Sequence, residues 1–232
     1  QKFKHYMSIP GQKNGLPDNF VTSFTEDKNG FIWIGTDKGG LSKFNPHDKS
    51  FENYFPEFSP DGKNATPINY VFYDSQDNLW IGTYSEALFR LNPKTGETIH
   101  YKKGNTEKDV SQKRISTIAE FVPGEIMIST YGGGLNIYYY QTNSFRHFLN
   151  NPADSTSLPD NQMWLPFLAK DGNYYFSGNS SAGLIQFNPE TEAFQKINPD
   201  GGMATFMMPA VTSSGRIFVD EVSEGLREII LE

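Results

Sequence analysis

The apolar positions of this chain fall in short alternating runs separated by turn residues, and the runs themselves recur. The clearest, Phe31-Ile32-Trp33-Ile34-Gly35-Thr36, returns as Leu79-Trp80-Ile81-Gly82-Thr83. Weaker copies follow at Ile126-Met127-Ile128-Ser129-Thr130, Tyr174-Tyr175-Phe176-Ser177-Gly178 and Ile217-Phe218-Val219-Asp220. With Trp33, Trp80, Met127, Tyr175 and Phe218 as equivalent positions, the spacings are 47, 47, 48 and 43 residues. Short runs rich in β-branched and aromatic side chains predict strands. Strands repeating at this period predict a propeller-like array.

The first unit shows the internal order. Val21-Thr22-Ser23-Phe24 predicts a strand, and Asp27-Lys28-Asn29-Gly30 a hairpin turn, because Asn-Gly tolerates the backbone such turns demand. Phe31 to Thr36 is the second strand, Leu41-Ser42-Lys43-Phe44 the third, and Phe51 to Phe55 the fourth, after the turn at Asn45-Pro46. Four short antiparallel strands per unit is the dimension of a propeller blade. Blades are expected over about 16–55, 66–101, 112–148, 158–197 and 204–230. The last lacks a fourth strand, whereas Phe3-Lys4-His5-Tyr6 matches the outer strands Phe51-Glu52-Asn53-Tyr54 and Thr98-Ile99-His100-Tyr101. The expectation is an all-β single domain over 1–232, a β-propeller of four-stranded antiparallel blades. It closes with five blades if strand 3–6 completes the last one, which removes the exposed edge. The competing reading is a piece of a longer chain whose ring has more blades.

The pattern Asp27-x-x-Gly30-x-x-Trp33-Ile34-Gly35-Thr36-x-x-x-Gly40-Leu41-x-x-Phe44-Asn45-Pro46, with Leu16-Pro17-Asp18-Asn19 before it, closely resembles the two-component regulator propeller repeat. The likeness extends over essentially the whole chain and weakens where Tyr175 and Phe218 replace Trp. The resemblance implies a periplasmic sensor region of a Bacteroidetes hybrid two-component system that responds to oligosaccharides. It also implies further propeller or sensor modules as partners, with the kinase elsewhere.

Composition narrows the alternatives. A formal charge of −7 with no basic run argues against nucleic acid and anionic membranes. No apolar run is long enough for a helical span, so no direct membrane insertion is expected. The absence of cysteine excludes disulfides and thiol chemistry. No signal-peptide pattern opens the chain, and Gln1 is compatible with a residue exposed by cleavage.

Candidate chemistry is sparse. His5, His100 and His147 occupy one equivalent outer-strand position in different blades, which spreads them apart, so no metal and no cofactor are expected. No nucleophile elbow or phosphate loop is present, and no catalytic residue is assigned. Trp33 and Trp80 are expected between blades, with Gly35 and Gly82 allowing close sheet approach. The non-repeating loop positions are more informative. After the second strand stand Asp37, Tyr84 with Glu86, Tyr131, Asn179 and Glu221. The segments leading into inner strands add Asn19, Asn69, Arg114, Asn161 and Trp164. Aromatic rings beside amides, acids and an arginine suit an oligosaccharide or other small polar ligand. The candidate ligand-binding set is therefore Asp37, Tyr84, Glu86, Tyr131, Asn179, Arg114, Trp164 and Glu221. A carbohydrate lyase or hydrolase with carboxylates from different blades and a protein-binding scaffold are the alternatives.

Overall fold

The structure is a computed structural model and describes residues 3–9, 15–54, 65–178, 183–197, 210–212, 214–221 and 225–230. Its described secondary structure is strands and turns. Blade one comprises β1 (Val21–Glu26), β2 (Ile32–Thr36), β3 (Gly40–Phe44) and β4 (Phe51–Tyr54). Blade two comprises β5 (Ile68–Tyr73), β6 (Leu79–Thr83), β7 (Leu88–Leu91) and β8 (Thr98–Tyr101). Blade three comprises β9 (Ile115–Val122), β10 (Glu125–Thr130), β11 (Leu135–Tyr139) and β12 (Ser144–Phe148). Blade four comprises β13 (Met163–Leu168), β14 (Tyr174–Gly178), β15 (Leu184–Asn188) and β16 (Ala193–Ile197). The last sheet holds β17 (Ala210–Val211), β18 (Ile217–Glu221) and β19 (Gly225–Ile229). Each sheet is a simple antiparallel meander in chain order, as the hairpin turns require.

The core lies between successive sheets. Trp33 and Leu41 of blade one pack with Ile68, Val71, Leu79 and Ile81 of blade two, all buried. Trp80, Leu88 and Tyr101 of blade two pack in turn with Ile115, Ile118, Ile126 and Ile128 of blade three. Blade four continues the sequence with Phe176 and Phe187 against Met127 and Ile137, and Tyr175 meets Ile217 and Val219 of the last sheet. Blades two, three and four thus each show one apolar face to the predecessor and one to the successor, which is why their strands lack a clean alternation of buried and exposed positions.

Close approach of these faces needs glycine. A Cβ on Gly82 would stand 2.5 Å from Ile115 Cγ2, and one on Gly35 would stand 2.6 Å from Ile68 Cγ2. Side-chain hydrogen bonds sew the inner strands together: Val71 N donates to Ser23 Oγ at 2.8 Å, and Ser116 Oγ donates to Met163 O at 2.7 Å.

The expected closing strand differs from the structure. Residues 3–9 form no strand, and the last sheet has three strands among the described residues. The segment lies instead against blade one, where Tyr6 meets Phe44 edge-on at 4.8 Å and Phe51 at 6.1 Å. The two rings at the turn end of β3 and β4 give Tyr6 an apolar seat that strand pairing with β19 would have to surrender. Beside it, Tyr6, Leu16, Phe24, Ile34 and Phe51 line an apolar cavity of about 290 Å³. This is the blade-one face that has no predecessor among the described residues. Phe24 is 72% exposed there, whereas the equivalent Val71 and Ile118 are 2% and 1% exposed.

Candidate functional site

The connections after the second strands of blades one, two and three lie on one rim, and a repeated backbone bond anchors them. Asp37 N donates to Phe20 O at 3.1 Å, Tyr84 N to Pro67 O at 3.0 Å, and Tyr131 N to Arg114 O at 3.0 Å. Each bond ties the loop residue to the segment that leads into the first strand of its own blade. In blade three that segment carries Arg114, and the neighbouring Lys113 O accepts from Ala87 N of blade two at 3.0 Å. Arg114 is therefore held at the seam of two blades.

Its guanidinium lies 4.2 Å from the centre of the Tyr131 ring and 4.5 Å from that of Tyr84. Trp164, early in β13, meets Tyr131 edge-on at 6.3 Å. Three blades thus build one cluster. Tyr84, Trp164 and Tyr131 remain 51%, 41% and 37% exposed, so their rings are not consumed by the core. Among the described residues no carboxylate pairs with Arg114. A cation over an exposed ring face contributes about 0.5–1 kcal/mol, enough to orient the side chain without tying up its N–H donors.

The remaining candidates fall elsewhere. Asp37 occupies the equivalent position in blade one, a blade away from Tyr84. Glu86 lines a separate groove with His100, Lys102, Lys103 and Lys113. Glu221 ends β18 and pairs with Gly225, and its side chain lies outside what the structure describes. Asn179 lies outside the described residues. The asparagines of the entry segments serve the scaffold. Asn69 Nδ2 donates to Ile115 O at 2.8 Å, Asn161 Oδ1 accepts from Asn150 N at 2.7 Å, and Asn19 Oδ1 accepts from Ser8 N at 2.7 Å. Gln162, which sequence reasoning passed over, forms a backbone bridge with Tyr131. Its place two residues before Trp164 was the available signal.

Two of the histidines expected in outer strands, His100 in β8 and His147 in β12, are held by backbone carbonyls, whereas His5 lies in the strandless segment 3–9. His100 Nε2 faces Glu86 O at 2.6 Å and His147 Nε2 faces Asp109 O at 2.9 Å. A carbonyl only accepts, so Nε2 carries the proton in both.

Comparison with known proteins agrees with this architecture. Residues 15–38 and 62–85 match the two component regulator propeller family. A histidine kinase P4 of Formosa agariphila is 31% identical over 85% of this chain, and the match spans 18% of that much longer protein. Among solved structures, the extracellular domain of a hybrid two component system of B. thetaiotaomicron superposes with a TM-score of 0.74 at 18% identity. That match covers 100% of this chain and 32% of the other. Virginiamycin B lyase of Staphylococcus aureus superposes with a TM-score of 0.70 at 15% identity, over 98% of this chain and 73% of the lyase. These likenesses establish the propeller fold. Residues 15–38 and 62–85 thus carry two component regulator propeller repeats, in a chain whose fold is that of a propeller.

Proposed function

We propose that this chain is the non-catalytic propeller part of an extracytoplasmic two-component sensor and that the Tyr84–Arg114–Tyr131–Trp164 cluster receives an oligosaccharide. The observation that carries the site is the convergence of exposed rings from three blades around one guanidinium that has no carboxylate partner among the described residues. An aromatic face suits the apolar face of a sugar ring, and guanidinium N–H groups suit its hydroxyl oxygens. The sensor reading is supported by the repeat match and by the histidine kinase relative. In such a receptor, ligand capture at the rim would change packing between this propeller and its neighbouring modules, and the kinase would lie outside this chain.

Isothermal titration against a panel of glycan fragments, with product analysis of the same mixtures, tests both halves. At least one fragment is expected to bind saturably, and Trp164→Ala is expected to weaken it about tenfold. Binding that survives both Trp164→Ala and Arg114→Ala, or none at all, overturns the site. A second reading, a propeller lyase, is favoured by the superposition on virginiamycin B lyase. Cleavage of any fragment would establish that reading and overturn the non-catalytic one.

A further inference from the structure

At the opposite end of the blades from that rim, the turn at Asn78, the β7–β8 turn and the β11–β12 turn enclose a polar cavity of about 320 Å³. Its floor is Arg90. The half-buried guanidinium sits among four rings, those of Trp80, Tyr101, Tyr138 and Tyr140, at 5.6, 5.7, 5.4 and 5.2 Å. Among the described residues no carboxylate pairs with it. Aromatic faces stabilise the charge, but they leave its N–H donors without acceptors of full strength.

The walls repeat that imbalance. Arg90 donates to Tyr138 Oη at 2.7 Å, so the Tyr138 proton passes on to Asn143 Oδ1 at 2.5 Å. The Asn143 amide oxygen is thereby committed and its Nδ2 donors are left over. Asn92 Oδ1 accepts from Lys94 N at 3.0 Å and Thr95 N at 3.2 Å, which fixes that amide with its Nδ2 donors free as well. Among the described residues, two amide donor groups without acceptors and one cation without a carboxylate therefore line the cavity. Glu97, exposed and also part of the lining, adds an acceptor and disfavours multiply charged anions.

The geometry points to a second binding site, distinct from the aromatic rim, for a small hydroxylated monocarboxylate such as a sugar acid. The carboxylate meets Arg90 and the amides of Asn92 and Asn143, and the hydroxyls meet Glu97 and Asn78. A charge-assisted contact of this kind is stronger than a neutral one, so an acid is selected over the corresponding neutral sugar.

The test is a nuclear magnetic resonance titration of the ¹⁵N-labelled chain with sodium D-glucuronate, D-glucose and sodium sulfate at matched ionic strength. Saturable shifts of the Asn92 and Asn143 side-chain amides are expected with glucuronate, with glucose weaker by about tenfold or more. The Trp164 indole reports the other rim, so the two sites are read independently. Asn92→Asp with Asn143→Asp keeps the accepting oxygen of each turn and replaces the free donors with negative charge. That double variant is expected to fold normally and to lose the saturable shifts of the Arg90 Nε–H and of the backbone amides of the two turns, which report binding in both the wild type and the variant. No saturable shift in the wild type, an equal response to glucose or sulfate, or undiminished binding by the double variant overturns the proposal.

Discussion

Trp80 Nε1 donates a 2.6 Å hydrogen bond to Asp74 Oδ2, so a hairpin residue latches a fully buried indole six positions further on. Trp33 and Asp27 form the same pair at 2.9 Å. The other carboxylate oxygen of Asp74 organises the turn, accepting from Gln76 N at 2.9 Å and Asn78 N at 2.8 Å. In blade four, where Tyr175 stands in place of Trp, its hydroxyl reaches Asp171 Oδ2 at 2.7 Å. The Asp of the repeat is thus a structural partner of its aromatic residue, and the pair survives a change of ring.

Asp74 also accepts from Tyr140 Oη of blade three at 2.5 Å. Asp74→Ala would leave that hydroxyl, the indole and two turn amides without their acceptor. A loss on the order of 3 kcal/mol is expected, measured as a lower urea midpoint. Asp77→Ala, at a more exposed site of the same turn, is expected to cost less.

Gly82→Ala would drive a methyl group into Ile115 Cγ2. Overpacking of this kind costs about 1–3 kcal/mol. Combining it with Ile115→Ala should cost less than the sum of the two single changes, because the clash disappears with the side chain. Strict additivity in equilibrium unfolding would show that the blades do not approach as described.

Phe24→Ser should change stability by no more than about 0.5 kcal/mol, since the ring is mostly exposed. Ile118→Ala, at the equivalent covered position, should cost about 2–5 kcal/mol. Similar losses in thermal melts would mean that the blade-one face is covered in solution.

Asp77 joins Lys28 of blade one to Lys94 of its own blade, and their hydrogen bonds hold its carboxyl down to about 2. A carboxylate depressed below its unfolded value of about 3.9 contributes stability above that value and loses it as pH falls through the folded value. The link between the two blades should therefore weaken only below about pH 4 and be lost as pH falls through about 2. A carboxyl titration by nuclear magnetic resonance checks this, and Lys28→Met should move the Asp77 midpoint upward.

Arg114→Gln should leave the melting temperature nearly unchanged, because a cation over exposed rings contributes no more than about 1 kcal/mol. It should still remove a large part of any glycan affinity at the rim. A marked fall in stability would assign Arg114 to the scaffold instead.

Much of this protein was legible before any coordinates. Strand order, turn positions and blade phase follow from local rules, since alternation, Asn-Gly turns and a repeating Trp-Ile-Gly-Thr act over a few residues. The candidate rim was legible in part, because equivalent loop positions can be aligned and their differences noticed. Tyr84, Arg114, Tyr131 and Trp164 were found that way. Their mutual contact was not, because it depends on the lateral approach of three separate sheets. Glu86 shows the limit: one residue's turn within a loop sent it to a different groove. The fate of Phe3 to Tyr6 was likewise undetermined, since a strand-like tetrapeptide can pair with any free edge or rest on any apolar seat. Packing of Tyr6 on Phe44 and Phe51 settled it. Local pattern therefore specified the blades, and the relation between blades decided which side chains meet, because contacts between sheets couple residues that no sequence period places together.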